Sequence, residues 1–322
     1  MRPSFLRYVS LAPLLWSAAA SAEPVRVLDT DFPDPCLIST NGKYYAFATT
    51  GNGVNVQIAQ SDDFVTWERL AGTDALPGPF PSWVASSPTV WAPDVIQRLD
   101  GTYVMYYSAL SSTDPSKHCF GAATSTSITG PYKPEDNYIA CPLDQGGAID
   151  PDGFIDDDGT MYVVYKVDGS NLDGDGTIHP TPIMLQALEP DGITPTGDPI
   201  KLLDRDASDG ILIEAPSLVR SVVSGTYFLS YSSHYYASLH YDVGYATGPA
   251  VKGPFTKAQA PLLVTGDNTT NAGPLGGPGG ADFSVDGTRI VFHAFENGRN
   301  LTNGRALYTS GIVLEGDVIR LV

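Results

Sequence analysis

The sequence predicts an all-β protein, a five-bladed β-propeller built as a single domain. One pattern recurs five times along the 322 residues, and the glycines of its turns stand 58 to 66 residues apart. These glycines are Gly42, Gly101, Gly159, Gly225 and Gly287. Tyrosine, glycine and proline are common (17, 33 and 26 residues), and long helical apolar periodicity is absent, which is typical of many short strands joined by turns. A near-constant period of this size indicates an array of similar units.

The pattern is clearest in residues 149–165, IDPDGFIDDDGTMYVVY. A carboxylate beside a proline is followed by a short apolar run, an acidic turn that ends in glycine, and an aromatic and aliphatic strand. The turn sequences Asn41-Gly42, Asp100-Gly101 and Asp158-Gly159 favour hairpins. The acidic turn at residues 156–158 lacks further ligands at calcium-loop spacing, so we interpret it as a solvated turn.

Each repeat predicts four strands, of which the first two are joined by this turn. The first two repeats predict strands at 35–39, 44–49, 54–60 and 67–70, and at 94–99, 103–108, 120–125 and around Tyr132. The third predicts strands from 152 to its turn, then at 161–167, 182–188 and 200–203. The last two predict strands at 217–222, 227–232, 241–247 and around Phe255, and at 281–285, 289–295, 306–312 and 318–322. One such sheet is only marginally stable, so the sheets should fold together as one ring. The regular period argues against a two-sheet sandwich.

The N-terminus has the features of a secretory signal. Arg2 and Arg7 are basic, residues 11–16 are apolar, and Ala20-Ser21-Ala22 has the small-x-small form that precedes cleavage. We therefore expect residues 1–22 to be a signal peptide and residues 23–322 to be the propeller. No later segment is long and apolar enough to cross a bilayer. The expected product is secreted and extracellular.

The net charge of −18, with only 17% charged residues, argues against nucleic acid and against anionic membranes as partners. We expect a monomer that binds an uncharged partner. Cys119 and Cys141 are candidates for a disulfide, which would leave Cys36 as a packed free thiol in a buried strand. Asn268 and Asn300 stand in glycosylation sequons, which act as such only in a eukaryotic source.

Acids stand beside prolines just before the first strand in three repeats: Asp34, Asp150 and Glu214. The first strand of each propeller blade lies next to the axis, so these side chains should converge on one face. Carboxylates held close together cannot all stay ionised, which raises at least one pKa and suits general acid–base catalysis. A single Asp-Pro pair is explained equally well as a turn, but acids at equivalent positions of three repeats favour function. Asp94 lies one residue past its proline and is expected to point elsewhere.

Aromatic residues in the adjoining loops supply surfaces on which sugar rings can stack. Phe32, Trp91 and Tyr235, with its neighbour Tyr236, are the candidates. The histidines show no metal-binding spacing. His293 follows an inner strand, where a core histidine is the more common interpretation.

Taken together, these motifs resemble glycoside hydrolase family 43, five-bladed propeller enzymes that act on arabinose- and xylose-containing plant polysaccharides. The matching pieces are Phe32-Pro33-Asp34-Pro35, Trp91-Ala92-Pro93-Asp94, Ala148-Ile149-Asp150-Pro151, Ile213-Glu214-Ala215-Pro216 and Gly253-Pro254-Phe255. They cover nearly all of the predicted mature chain in the family's order.

The resemblance implies an inverting hydrolase. It makes Asp34 the general base that deprotonates the attacking water and Glu214 the general acid. It makes Asp150 the residue that holds the acid in place and raises the acid's pKa. It also implies an arginine near the sugar from the last blade, for which we favour Arg305 over Arg289.

One departure concerns metals. Many family members carry a histidine after Gly-Pro-Gly in the fifth blade, near a metal in the central channel. This chain has Gly280 there, and Asp282, two residues further on, could compensate for the histidine but is as well explained by a turn. We therefore predict no metal ligands and no required cofactor, and leave a structural calcium in the channel open.

The expected substrate is an arabinose- or xylose-containing polysaccharide or oligosaccharide. The Phe-Pro-Asp-Pro form of the first motif favours an exo-acting α-L-arabinofuranosidase. A β-xylosidase and an endo-arabinanase remain alternatives. Two readings outside this family remain as well: a non-catalytic carbohydrate-binding propeller and a retaining fructan-active enzyme. In the retaining enzyme the two carboxylates would stand closer together, about 5–5.5 Å apart rather than about 6.5–9.5 Å.

Overall fold

Our computed structural model describes residues 22–322, whose strands form five antiparallel sheets. Each repeat begins with a proline and a left-handed residue, and a new sheet starts there. The predicted signal peptide lies outside the described residues, except for Ala22. Strand β1 (Val25–Arg26) comes first in the chain but belongs to the last sheet. The five-bladed propeller predicted from the sequence is confirmed.

The strands of the first three blades follow one another in sequence order within each sheet. The first blade holds β2 (Cys36–Thr40), β3 (Lys43–Ala48), β4 (Gln57–Ser61) and β5 (Glu68–Arg69). The second holds β6 (Trp91–Gln97), β7 (Tyr103–Leu110), β8 (His118–Ser125) and β9 (Lys133–Ala140). The third holds β10 (Ala148–Ile155), β11 (Met161–Val167), β12 (Ile183–Leu188) and β13 (Pro195–Leu203).

The last two blades complete the ring. The fourth holds β14 (Ile213–Arg220), β15 (Tyr227–Ser233), β16 (Asp242–Gly248) and β17 (Thr256–Lys257). The fifth holds β18 (Gly279–Phe283), β19 (Arg289–Phe295) and β20 (Arg305–Glu315), with β1 and β21 (Val318–Leu321) both paired to β20. Short 3-10 helices lie between strands at Leu143–Gln145, Gly169–Asp175, Ala207–Asp209 and Leu301–Asn303. Among the described residues, no helix meets the length and apolarity needed for a membrane span.

The outer edge of the fifth blade differs from the prediction. The sequence predicts a single C-terminal strand there, at 318–322. In the structure Val25 and Arg26 pair with Thr309 and Tyr308, and β21 pairs only with the distal part of β20. The two ends of the described chain therefore share one strand as partner, which joins them within a single blade. The outer strands β9 and β17 begin one residue after Tyr132 and Phe255, where the sequence places them.

Within residues 22–322 the core consists of five apolar clusters, and each is shared by two neighbouring blades. Strand β3 shows why, because Phe47 packs toward the second blade whereas Ala46 and Ala48 pack toward the fifth. Alternate side chains of a strand point to opposite faces of a sheet, and a blade is covered on both faces. This explains why β7 and β11 are apolar almost without interruption.

The cysteines lie as expected from the sequence. A disulfide joins Cys119 on β8 to Cys141, just beyond the end of the neighbouring β9. Cys36 is a buried free thiol. The disulfide therefore fastens the outer strand of the second blade, while Cys36 packs beside the channel.

Candidate active site

A backbone irregularity at the start of each innermost strand shapes the mouth of the axial channel. In each blade one residue there has a left-handed φ between 40° and 55°. These residues are Asp34, Ala92, Asp150, Ala215 and Gly280. In blades two to five, the pairing with the next strand shifts register at this point, as in a β-bulge. Bulges re-aim side chains, and left-handed residues other than glycine concentrate at functional sites.

The left-handed positions show that the three acids are not equivalent, although the sequence predicted them to be. Asp34 and Asp150 occupy the left-handed position, whereas Glu214 stands one residue before it, because Ala215 is left-handed in the fourth blade. Glu214 is therefore the counterpart of Trp91 in the second blade. The three acids still line one cavity of about 190 Å³. The other lining residues are Thr49, Trp91, Ile149, Ala215, Tyr236, Tyr241 and Arg305.

Asp34 is held by donors from two blades. Arg305 donates from Nη1 to Oδ1 at 3.0 Å, and Thr49 donates from Oγ1 to Oδ2 at 2.7 Å. Burial alone would raise the pKa of Asp34, but the charge of Arg305 and these hydrogen bonds outweigh burial and lower it. The Asp34 carboxyl is therefore ionised and ready to accept a proton. The structure places Arg305 at the acid, as the resemblance implies, whereas Arg289 stacks over Tyr44 and Phe64.

Glu214 has two donors that the sequence analysis did not identify. Lys166 on β11 donates from Nζ to Oε2 at 2.9 Å, and the Tyr241 hydroxyl donates to Oε1 at 2.8 Å. The signal for Lys166 was available, because it is the one charged residue in the apolar strand Met161–Val167. Tyr241 gave no such signal, since it precedes β16 in a chain rich in tyrosine.

Asp150 has the least compensated charge of the three acids. Its Oδ2 accepts a hydrogen bond from the backbone N–H of Ala215 at 2.9 Å, and it forms no ion pair within residues 22–322. Burial, and after it the neighbouring charge of Glu214, raise the pKa of Asp150 well above its ordinary value. The bond to Ala215 ties Asp150 to the backbone beside Glu214. Asp150 is thus a buried carboxyl beside Glu214 whose own ionisation is unfavourable.

Trp91 forms one wall of the cavity. Its ring stacks on His118 with centroids 3.7 Å apart and planes 23° apart, and 37% of the residue stays exposed. Burial lowers the pKa of His118 to about 4, so the supporting ring is neutral at ordinary pH. Trp91 is therefore held on one face and free on the other, as a stacking surface for a sugar requires.

The other aromatic candidates are placed differently. Tyr236, rather than Tyr235, lines the cavity, where the guanidinium of Arg305 lies 5.3 Å from its ring centroid. Tyr235 packs against Tyr236 and remains 49% exposed, outside the cavity. The prediction that Phe32 binds substrate is wrong, because Phe32 is fully buried in the cluster between the first and fifth blades.

A histidine-held channel metal does not fit this chain. Gly280 stands where the resemblance places the histidine, and a Cβ on Gly280 would lie 2.7 Å from the ring of His293. That ring is fully buried, and its Nδ1 accepts the backbone N–H of Asp34 at 3.0 Å. Burial lowers the pKa of His293 to about 3, so the ring is neutral. His293 thus fills the space of the missing side chain and helps to hold Asp34.

Deeper in the channel, three buried carboxylates come close together. Asp94, Asp152 and Asp282 each have an atom within 4.8 Å of the other two, a spacing that suits oxygen ligands of a cation. Asp94 does point to the axis, but below the cavity of the three candidate acids. Burial raises the pKa of Asp94 to about 8 and that of Asp282 to about 6.

Each of these carboxylates also serves as an acceptor for the next blade. Backbone N–H groups of Gly153, Leu218 and Leu37 donate to Asp94, Asp152 and Asp282 at 2.8, 3.0 and 2.5 Å. Ser217, at the same position of the fourth blade, accepts from the Phe283 N–H at 3.3 Å. We call Cys36, Asp94, Asp152, Ser217 and Asp282 the axial ring. Protons and backbone donors can satisfy the carboxyls of the axial ring without a cation. That no metal is required stays a prediction.

Comparisons with known proteins agree with this architecture. The family model "Glycosyl hydrolases family 43" matches residues 24–314. An extracellular endo-α-(1→5)-L-arabinanase 2 of Bacillus subtilis is 29% identical over 187 residues, 51% of this chain and 38% of that protein. A probable arabinan endo-1,5-α-L-arabinosidase C of Aspergillus niger is 32% identical over 209 residues, 62% of this chain and 58% of that protein.

Among solved structures, a thermostable family-43 glycoside hydrolase is 27% identical with a TM-score of 0.77, covering 94% of this chain and 96% of that one. This chain therefore spans less than two thirds of the length of the two curated relatives, but nearly all of a family-43 structure. The family match covers almost every described residue, including the three acids. The chain belongs to glycosyl hydrolase family 43.

Proposed function

We propose that this protein is a secreted, inverting glycosidase that hydrolyses α-L-arabinofuranosyl linkages in arabinan. The observation that supports this most is the unequal environment of two acids in one cavity. Arg305 and Thr49 hold the Asp34 carboxyl in its ionised form, whereas Glu214 faces Asp150, a buried carboxyl whose pKa is raised. One carboxylate to accept a proton and one carboxylic acid to donate one are the groups that glycoside hydrolysis uses.

The proposed reaction is a single displacement. Asp34 accepts a proton from a water molecule while the water oxygen bonds to the anomeric carbon from the face opposite the leaving sugar. The glycosidic C–O bond breaks, and Glu214 donates its proton to the departing oxygen. Solvent then reprotonates Glu214 and takes the proton from Asp34. Because the water attacks from the opposite face, the released sugar has the inverted anomeric configuration.

Asp150 supports this cycle by its charge and its hydrogen bond. Its carboxyl sits next to Glu214 in a buried site, where two negative charges are unfavourable. The pair therefore retains a proton at a pH where isolated carboxyls have lost theirs. The bond from Ala215 to Asp150 keeps the backbone that carries Glu214 in place.

The substrate proposal draws on the relatives and on the cavity walls. Both curated relatives are named for cleavage of 1,5-linked arabinan. Trp91 and Tyr236 offer aromatic faces beside the acids, and the exposed ring of Tyr235 extends this surface beyond the cavity. The exo mode predicted from the first motif stays a prediction, while the relatives' names favour internal cleavage. We propose internal cleavage.

The test combines product size and product anomer. Purified protein is incubated with linear 1,5-arabinan, an aryl α-L-arabinofuranoside and an aryl β-xyloside, and sugars are followed by NMR and chromatography. We expect arabino-oligosaccharides from the polymer, released with inverted configuration. Arabinose alone would favour the exo mode, and xylose alone would favour a β-xylosidase. Retained configuration would contradict the single displacement.

Variants connect the products to the proposed residues. Glu214→Gln and Asp34→Asn should each reduce activity on arabinan by about 10²–10⁴-fold. Glu315→Gln is the matched control, because Glu315 is an exposed carboxylate on the outer part of β20, paired with Arg320. Sugar binding without turnover in the wild type would instead support a carbohydrate-binding propeller.

Export is tested separately. We propose that residues 1–22 direct secretion, since the Bacillus relative is named an extracellular enzyme. Expression of the full chain in a secreting host should yield protein in the culture medium whose first residue is Glu23. Retention of residues 1–22 on protein that stays in the cell would contradict this.

A further inference from the structure

A fully buried lysine is bonded to the proposed acid. Lys166 is 1% exposed, and its ammonium has three donors to place. One goes to Glu214 Oε2, one to Asp168 Oδ1 and one to Ser170 Oγ, each at 2.9 Å. Every N–H of the ammonium thus has an acceptor, and two of the acceptors are carboxylates. Replacing any one of the partners leaves part of this buried charge unsatisfied.

The fold leads Lys166 to this place. Lys166 pairs with Ile149 in the ladder of β10 and β11, so it lies beside Asp150 in the third blade. From there its side chain crosses to Glu214 in the fourth blade. The rest of β11 is buried and almost entirely apolar. An unpaired charge in such a strand would be strongly unfavourable, so the two carboxylates account for the lysine's presence.

The two carboxylates keep the lysine charged. Burial alone would lower the pKa of Lys166, but Glu214 and Asp168 more than reverse this and raise it above its ordinary value. Asp168 is itself held by Ser170, which donates to Oδ1 at 2.7 Å. The ammonium is therefore a fixed positive charge that Glu214 and Asp168 share.

The groups that face Glu214 act on its proton with opposite signs. Asp150 favours the protonated form of Glu214, and Lys166 favours the carboxylate. Asp168 weakens the effect of Lys166, because the negative charge of its carboxylate offsets part of the positive charge of the ammonium. The remaining titratable or charged groups around Glu214 are Tyr236, Tyr241, and the Asp34–Arg305 ion pair across the cavity.

We propose that Lys166 is the positioning residue for the acid, and that Lys166 and Asp168 together set the pH above which Glu214 can no longer donate its proton. This inference rests on the proposed function of Glu214. Lys166 holds one carboxylate oxygen, while Tyr241 holds the other. Asp168 tunes the strength of this hold without touching Glu214.

The experiment is a pH profile of kcat/KM on linear arabinan for two variants that should shift it in opposite directions. The fall of kcat/KM at high pH reports loss of the acid's proton in the free enzyme. Lys166→Met keeps most of the length of the side chain and removes its charge, so the fall should move to higher pH by about 1–3 units. Asp168→Asn keeps an acceptor and removes the competing negative charge, so the fall should move to lower pH.

Two controls separate this effect from damage to the fold. Lys43→Met removes a lysine from an exposed ion pair with Asp62, and its profile should match the wild type. A purely structural role would lower kcat in both variants without moving their profiles apart. Unmoved profiles, or a shift in the same direction, would overturn the inference even if the wild type cleaves arabinan as proposed.

A second measurement needs no turnover. In protein labelled with ¹³C at glutamate carboxyls, the Glu214 signal is identified by its loss in Glu214→Gln. Its titration midpoint should rise in Lys166→Met and fall in Asp168→Asn. An inactive wild type would contradict the proposed function, and the carboxyl titration would still decide the role of Lys166. Equal midpoints in all three proteins would overturn it.

Discussion

Asp282, on the innermost strand of the fifth blade, accepts a hydrogen bond from the backbone N–H of Leu37 on the innermost strand of the first blade at 2.5 Å. The same Asp282 accepts the hydroxyl of Ser217 in the fourth blade at 2.6 Å. One carboxylate thus joins three blades at the axis. The ring is also closed at its outside. There β1, from the start of the described chain, pairs with β20, from near its end.

Removing this carboxylate should destabilise the closed ring. Asp282→Ala leaves the buried N–H of Leu37 and the hydroxyl of Ser217 without their acceptor, which costs about 1–3 kcal/mol for each group. Asp282→Asn keeps one acceptor oxygen and should lose less. Urea unfolding monitored by fluorescence measures both variants. Equal stability of the alanine variant and the wild type would show that the Asp282 bonds do not hold the ring.

The axial ring should make stability depend on pH in an unusual direction. The pKa of Asp94 is raised to about 8 in the folded protein by burial and then by Asp282, compared with about 3.9 when unfolded. Between these values the folded state binds more protons than the unfolded state. The free energy of unfolding should therefore fall as pH rises from about 4 to 8, by up to about 1.4 kcal/mol per pH unit from this group.

Asp94→Asn isolates this contribution. Asparagine keeps an acceptor for the Gly153 N–H but does not titrate, so the variant should gain stability relative to the wild type as pH rises from 5 to 8. Thermal unfolding in EDTA at several pH values provides the comparison. Parallel curves for the two proteins would mean that Asp94 is ionised throughout.

The sequence predicted the ring because its pattern is local. A proline and the acid, alanine or glycine before it precede or open each inner strand, and the glycine turns fix the first hairpin, so five blades follow from neighbours in sequence. Strand β1 escaped prediction because two residues carry no periodicity, and its partner lies more than 280 residues away. No local pattern shows such a pairing.

The site was predicted in part for the same reason. Asp34, Asp150 and Glu214 were found by their prolines, but the one-residue offset of Glu214 depends on which residue turns left-handed. Phe32 was assigned to the site by its closeness to Asp34 in sequence. In the structure its ring points between two blades. Lys166 was missed because its partner Glu214 belongs to another blade.

Arg305 should set the low-pH side of the activity profile. Its guanidinium helps to hold the pKa of Asp34 below the ordinary value, so Arg305→Met should raise that pKa. A base with a higher pKa is protonated at higher pH, and the rise of kcat/KM on the acidic side should move upward by about 1–3 units. Arg299→Met, on the exposed loop before Arg305, is a suitable control. An unmoved acidic side would mean that Asp34 is not the base.

Removing metal ions should leave activity intact. His293 fills the space beside Gly280, and the axial ring carboxyls have backbone donors from neighbouring blades. Dialysis against EDTA should change neither kcat/KM on arabinan nor the melting temperature. If EDTA lowers either value and calcium restores it, the axial ring holds a cation, and the prediction of no required cofactor is wrong.

Trp91 should contribute binding rather than chemistry. Its ring has one face on His118 and the other toward the cavity, and it contacts neither Asp34 nor Glu214 through a hydrogen bond. Trp91→Ala should raise KM on arabinan by about 2–13-fold, which corresponds to the usual 0.5–1.5 kcal/mol of a ring contact, with a smaller change in kcat. Trp91→Phe keeps an aromatic face and should recover part of the loss. His118→Leu removes the supporting ring without removing Trp91, so an intermediate rise in KM is expected. A fall in kcat alone, with KM unchanged in all three variants, would show that Trp91 acts in the chemical step instead.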